Sequence, residues 1–322
     1  MTDIAAIILT YNEEKHIERC IASIRGVCRE IFVIDSLSTD RTVELALAAG
    51  ATQVLQNPWK NYATQFNWGI EHAPITAGWL WRIDADEYIE PALARAVEET
   101  IGGSEVLRSE GAEGDEPVNG IYVRKRIDFM GRPLRHGGWY PQYHLKLWRR
   151  GHGACENRWM DEHIRLTDGR TLSIDLAGAD QVDANLNDLT WWTQKHNGYA
   201  TREMVDMLML EYGMDDGANE IRPRLFGSGP ERKRWLKLRY VKSPLFVRPF
   251  LNFVLRYVFK GGLPRWPRGL RVARAAGLLV PDAGRCQDLR DQTPLRLRRR
   301  EDQGMDPRGI QPLTKRKATI YN

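Results

Sequence analysis

At Trp81-Arg82-Ile83-Asp84-Ala85-Asp86-Glu87 an apolar run ends in two carboxylates one residue apart. In an extended backbone Ile83 and Ala85 point to one side, and Asp84 and Asp86 to the other. Two like charges at the end of a strand repel unless a cation sits between them. Hard oxygen donors select Mg²⁺ or Mn²⁺, which keep open positions for substrate phosphates. Asp84 and Asp86 are therefore candidate metal ligands for chemistry on a nucleoside diphosphate. The first turn, Thr10-Tyr11-Asn12-Glu13-Glu14, lacks the glycines that let backbone N–H groups grip a pyrophosphate directly. Its carboxylates cannot hold phosphate, which leaves part of the turn for a nucleoside. Asn12 could equally cap the following helix, with Glu13 and Glu14 at its positive end. Asp35-Ser36 closes the next apolar run, where a carboxylate can accept the imide N–H of a uracil ring. Asp40 is read as the cap of the helix after it.

Short apolar runs and helical patterns alternate over the first hundred residues and position these groups. Strands are expected at Ile4–Leu9, Ile31–Ile34, Thr52–Leu55 and Trp79–Ile83. Helices are expected at Glu14–Ile24, Arg41–Ala49 and Tyr62–His72. Such alternation predicts an α/β fold with a mostly parallel central sheet, in which ligands bind beyond the carboxyl ends of the strands. All the polar residues named so far fall on that rim. Gly102–Asn119 is acidic, glycine-rich and aperiodic, a surface loop. Gly120–Arg126 and His144–Arg149 read as strands, Leu186–Tyr212 as a long helix and Asp215–Gly229 as a linker. His136, His144 and His196 lack metal-ligand spacing and read as loop or packing residues.

The chain has 322 residues, 42% hydrophobic and 28% charged, enough for a full α/β core and a smaller second element. Its net charge of +5 is uneven, because Arg and Lys dominate from Arg222 onward. Between Arg232 and Phe259 arginines and aromatics interleave with apolar residues, as in helices lying in the interface of an anionic membrane. The competing reading is a helix pair packed under the catalytic domain. Nothing reaches the length of a membrane-spanning helix. Cys20, Cys28, Cys155 and Cys286 form no framework, and no signal peptide precedes the first strand, so a cytoplasmic protein with reduced thiols is expected.

Together Thr10–Glu14, Val33–Asp40 and Asp84–Glu87 resemble the family-2 glycosyltransferases of GT-A fold. The added markers Arg135–Pro141, Met160–Ile164, Lys195–Tyr199 and Arg232–Lys237 are most similar to enzymes of bacterial lipopolysaccharide-core and exopolysaccharide assembly. The resemblance implies a nucleotide-diphospho-sugar transferase domain over 1–180, with a nucleotide-sugar half at 1–100 and an acceptor half at 120–180. A helical, membrane-associating extension follows at 186–262. It implies that Thr10, Tyr11 and Glu13 line the nucleoside pocket, that Asp86 contacts the metal and that Asp84 lies near the ribose or donor sugar. An inverting transfer also needs a carboxylate base. The family motif aligns best on Glu162, with Asp161 the near alternative and His163 an orienting partner. Trp139 and Tyr140 are candidates for stacking on an acceptor sugar, and Arg135 for pairing with a phosphate.

The implied partners are a nucleotide-sugar donor, a lipid-linked or lipopolysaccharide-core acceptor and the anionic inner face of the inner membrane. A sugar nucleotidyltransferase would share the class and the metal carboxylates, but it usually needs a glycine-rich, lysine-bearing first loop. A non-catalytic basic scaffold has only the arginine-rich tail in its favour, and no nucleic-acid motif accompanies that tail. Residues 263–322 read as a disordered basic tail. A neighbouring frame of back-translated Leu263–Arg290 restores the apolar, aromatic continuation usual in relatives, which points to a frameshift near Gly261–Leu263.

Overall fold

The computed structural model describes residues 1–103, 116–156, 162–211 and 247–259, together with Leu225, Phe226, Trp235 and Arg239. Its first strand, β1 (Thr2–Thr10), lies in the interior of the sheet. Ile4, Ala6 and Ile8 enter one core and Ala5 and Ile7 the other, so β1 must be apolar on both faces. The parallel strands β2 (Cys28–Asp35) and β4 (Trp79–Asp84) flank it, and β3 (Gln53–Gln56) lies outside β2. Thr10 sits opposite Asp35 and Leu9 opposite Asp84. That register brings the polar strand ends to one rim, as the sequence predicts.

Helices α1 (Ile17–Ile24), α2 (Thr42–Ala49) and α4 (Pro91–Gly102) cover one face, through Ile17, Ile21, Ala46, Leu93 and Val97. Helix α3 (Tyr62–His72) covers the other with Ala63 and Phe66. Each of the largest of these apolar side chains adds about 1.5–3 kcal/mol on full burial. The apolar spacing assigns no element to α4. Only Leu93 and Val97 of it are buried, and its start is set by Pro91, whose missing N–H costs nothing at a helix N-terminus.

Beyond β4 the sheet becomes mixed. β8 (Gln142–Arg149) runs antiparallel to β4, followed by β6 (Val118–Phe129), β12 (Asp180–Asp183) and β5 (Glu87–Ile89). β7 (Arg132–Pro133) and β11 (Arg170–Ser173) pair with β6, while β9 (Gly153–Cys155) and β10 (Ile164–Leu166) form a separate two-stranded ribbon. This is the α/β, GT-A type arrangement the resemblance implies, parallel across its first four strands. The chain leaves β4 at Asp84, turns, and pairs β5 with β12, so that Asp183 lies opposite Glu87.

A 23-residue helix, α5 (Leu189–Glu211), follows β12 and packs Trp192 edge-on against Phe129 with ring centroids 5.4 Å apart. Helix α6 (Val247–Val254) continues as a π-helical turn, Leu255–Phe259. No helix among the described residues is long and apolar enough to cross a membrane. Most of the Gly102–Asn119 loop and of the Asp215–Gly229 linker, and the whole 263–322 tail with its frameshift expectation, lie outside the described residues.

Candidate active site

Asp35 is fully buried at the end of β2, and both its oxygens are engaged. Oδ1 accepts hydrogen bonds from Thr10 Oγ1 (2.9 Å) and Ser38 Oγ (2.5 Å); Oδ2 accepts from the Ser38 N–H (2.9 Å) and Gln56 Nε2 (3.1 Å). In this arrangement Asp35 builds the turn, and a base reaches it only if Gln56 or Ser38 gives way. Asn12, at φ 54°, does not cap α1. Its Oδ1 accepts the Thr39 N–H at 2.8 Å and its own N–H donates to Ser38 Oγ at 2.9 Å, stitching the first turn to the second. Asp40 does start α2, accepting the Thr42 N–H at 3.0 Å. Ser36 is buried, and its Oγ accepts Gln65 Nε2 at 3.1 Å. Tyr11 is 59% exposed, an aromatic face open at the rim. Glu13 Oε2 lies 2.5 Å from His16 Nδ1, and His16 Nε2 accepts the Leu186 N–H at 2.9 Å. The proton therefore sits on Nδ1 and is donated to Glu13.

Burial alternates from Trp81 to Ile89 and places Glu87 fully inside, in register with Ile83 and Ala85. A buried carboxylate needs partners. Glu87 receives Lys146 Nζ (2.9 and 3.1 Å), Lys125 Nζ (3.1 Å), Gln181 Nε2 (2.5 Å) and the Asp84 N–H (3.0 Å). Asp84 accepts the Tyr62 hydroxyl at 2.5 Å and lies 3.6 Å from Lys146 Nζ and 4.0 Å from Arg82 Nε. Burial opposes its ionisation, but the Lys146, Arg82 and Lys125 charges outweigh it and hold the carboxyl well below the usual range.

Asp86 is in a different situation. Burial, reinforced by the Asp183 carboxylate, pushes it up to about 6, and Asn185 Nδ2 donates to its Oδ2 at 3.1 Å. The two aspartates do oppose each other, since Asp84 adds to the upward push on Asp86, but their other neighbours differ. Asp84 is balanced by protein cations, and the first carboxylate opposing Asp86 is Asp183. Asp86 offers hard oxygen that fits Mg²⁺ or Mn²⁺, while its neighbour Asp183 is paired with Lys125 Nζ at 3.0 Å. Among the described residues no three His, Cys, Asp or Glu side chains converge into a closed metal cage. Lys195 of α5 lies 4.6 Å over the Trp191 ring, its charge favoured by Tyr199 and Asp86 against burial.

Arg82 connects this corner to the candidate base. Its Nε donates to the Tyr62 hydroxyl at 2.8 Å and its Nη1 to the Glu162 carbonyl at 3.1 Å. Glu162 is half-buried, His163 is exposed and Asp161 lies outside the described residues. In the acceptor loop Arg135 is exposed, and the turn depends on Gly137 and Gly138 at φ 73° and 75°, which side chains disfavour. Trp139 is covered by Arg256, whose guanidinium carbon lies 4.5 Å from the ring centroid. Tyr140 departs from its expected stacking role. Its hydroxyl donates to Asp180 at 3.0 Å and accepts from Arg124, so it clamps the loop onto β12.

Residues 5–106, which hold the Thr10–Glu14 turn, both aspartates and Glu87, match the family model described as glycosyl transferase family 2. This stretch is similar to the family-2 glycosyltransferases. Over 157 residues the chain is 31% identical to the lipopolysaccharide core biosynthesis glycosyltransferase LpsC of Rhizobium meliloti, covering 48% of this chain and 53% of LpsC. An uncharacterized glycosyltransferase of Rickettsia bellii is 38% identical over 95 residues, 30% of this chain and 31% of that protein. The chain thus spans about half or less of the length of these relatives. Glucosyl-3-phosphoglycerate synthase from Mycobacterium tuberculosis, crystallised with Mn²⁺, uridine diphosphate and glucosyl-3-phosphoglycerate, overlaps 39% of this chain and 44% of its own. The identity there is 22% and the TM-score 0.30.

The family-2 motifs do not contain Tyr62, Arg82 as a linker, Lys125, Lys146, Asp183 or Asn185, which complete the corner. One signal was available: Glu87 occupies an apolar register position, and Lys146 sits between Leu145 and Leu147. A carboxylate and an ammonium in such positions require each other.

Proposed function

We propose that this chain is an inverting, divalent-cation-dependent glycosyltransferase. It moves a sugar from a UDP-linked donor to a membrane-associated glycan of lipopolysaccharide or exopolysaccharide assembly. The observation that carries the reading is the place of Asp86, just after β4 and held by Asn185, on the rim shared with the Tyr11–Glu13 turn. Tyr11 stacks on the base, while Thr10, Asn12, Asp35 and Ser36 fix the shape of the turn and Glu13 lines it. Asp84, held ionised and oriented by Tyr62 and Lys146, faces the ribose or donor sugar. Mg²⁺ or Mn²⁺, when bound at Asp86, would neutralise charge on the departing nucleoside diphosphate. Glu162 takes the proton of the acceptor hydroxyl as that oxygen attacks the anomeric carbon opposite the leaving group. The bond to the diphosphate oxygen breaks and the configuration inverts. Arg135 and Trp139 meet the acceptor, a role for which Tyr140 is already committed elsewhere. The similarity to LpsC, a lipopolysaccharide core biosynthesis glycosyltransferase, supports the lipopolysaccharide core as acceptor class.

Val247, Phe250, Leu251, Leu255 and Phe259 are exposed along one stripe of α6 and its π turn. That stripe supports attachment to the inner face of the cytoplasmic membrane, with the basic residues of 232–260 at anionic headgroups. Calorimetry with a nucleotide panel tests the donor assignment: UDP should bind more tightly with Mn²⁺ than without it. Asp86→Ala should remove that difference and donor turnover while the protein stays folded. Full activity in Asp86→Ala would refute the assignment.

A further inference from the structure

We infer that Asn185 is a positioning residue for Asp86, and that the β12–α5 junction, residues 183–187, ties the nucleoside turn and the metal-holding carboxylate into one unit. The inference rests on the donor reading above. Asn185 Nδ2 donates to Asp86 Oδ2 at 3.1 Å, while Asn185 Oδ1 accepts the Asn187 N–H at 2.9 Å. The second bond fixes which way the amide faces, so it is the NH₂ group that meets Asp86. Among the described residues no hydrogen bond reaches Asp86 Oδ1. Holding one oxygen of a carboxylate sets its rotation and aims the other.

The junction is itself fixed from several sides. The Ala184 N–H donates to the Asp86 carbonyl at 3.1 Å, and Arg19 Nη2 bonds the carbonyls of Asp86 (2.9 Å) and Ala184 (2.6 Å). Lys15 Nζ reaches Asn187 Oδ1 at 3.0 Å. Between the two functional ends, His16 accepts the Leu186 N–H and donates to Glu13. A continuous path therefore runs Glu13, His16, Leu186, Asn185, Asp86. It joins the turn that lines the nucleoside to the carboxylate that holds the cation. His16, the centre of this path, is 1% exposed, so its ring is sheltered from water. A shift of the nucleoside turn displaces Leu186 and, through it, the amide that aims Asp86. Nucleoside binding and cation binding must then be coupled through the junction.

Calorimetry of UDP binding to the full chain, with and without Mn²⁺, separates the possibilities. In Asn185→Ala, metal-free UDP affinity should stay within about twofold, while the Mn²⁺ enhancement falls roughly 10- to 100-fold, as for other groups that orient a metal ligand. Asn185→Leu keeps nearly the side-chain volume, adds no charge beside Asp86 and loses the donor, so it should behave like the alanine variant. His16→Phe should lose enhancement too, without touching Asp86. A wild-type enhancement in either Asn185 variant overturns the positioning role, and one in His16→Phe overturns the coupling. Thermal melting establishes that each variant is folded. Absence of any Mn²⁺ effect in the wild type would instead bring down the donor reading and this inference with it.

Discussion

Asp84 and Asp86 are the same residue type two positions apart, and their neighbours give them different work. Lys146, Arg82 and the Tyr62 hydroxyl surround Asp84, which is consequently a fixed anion, whereas Asp86 meets Asp183 and a neutral amide. Glu162, the proposed base, meets Arg82 through its main-chain carbonyl. Glu162→Gln should therefore lower kcat by roughly 10²- to 10⁴-fold, the usual worth of a general base, with UDP affinity unchanged in calorimetry. Weakened UDP binding with intact kcat would reassign the residue. His144 adds a pH dependence of another kind. Burial, then Lys146 and Lys125, push its ring down to about 3, so it is neutral in the folded protein. The unfolded chain takes up that proton below about 6.5. The contribution of His144 to stability is thus complete above pH 6.5 and is lost as pH falls toward 3, by at most about 1.4 kcal/mol per pH unit. Urea unfolding of His144→Gln at about pH 7 and about pH 5 should show a smaller difference than the wild type does.

Strands β4, β5, β6, β8 and β12 each supply one part of a buried charge cluster: Asp84, Glu87, Lys125, Lys146 and Asp183. Such a cluster is stable only when complete, because a single charge left in the interior keeps its desolvation cost without a partner. Lys146→Met should cost about 3–5 kcal/mol in urea unfolding, and adding Glu87→Gln should restore part of the loss. The methionine fills nearly the same space, so the loss reports charge rather than packing. If Lys146→Met proves neutral, the cluster does not set the geometry of the corner. The sequence made these strands readable individually, through apolar runs such as Ile4–Leu9 and Trp79–Ile83. It did not make their pairing readable, because β5 and β12 are three and four residues long and neighbour each other across about 90 residues of chain. Helix α4 was unreadable for a related reason, having only two buried residues to mark its face.

Across the described residues, a sheet parallel on one side and mixed on the other sets the Thr10–Glu14 turn, the acidic corner and the Arg135–Pro141 loop around one rim. The exposed stripe of α6 lies on the segment whose Arg256 covers Trp139 of that loop, so the proposed membrane-facing stripe and the proposed acceptor residues are joined by one contact. Phe250→Glu with Phe259→Glu should weaken cosedimentation with vesicles containing phosphatidylglycerol roughly tenfold or more, since each phenylalanine is worth about 1.5–3 kcal/mol of apolar burial. Unchanged sedimentation would leave the stripe without a membrane role. From residue order alone came the α/β class, the strand ends that bear Thr10, Asp35 and Asp84, and the candidate chemistry. These follow from local periodicity and from the short turns that carry the motifs. Only the folded sheet decided that Lys146, Arg82 and Tyr62 surround Asp84, that Asp35 and the Tyr140 hydroxyl are already engaged, and that Asn185 faces Asp86. A side chain's charge balance depends on which distant strands lie beside it, and strand pairing over such separations leaves no periodic trace in the sequence.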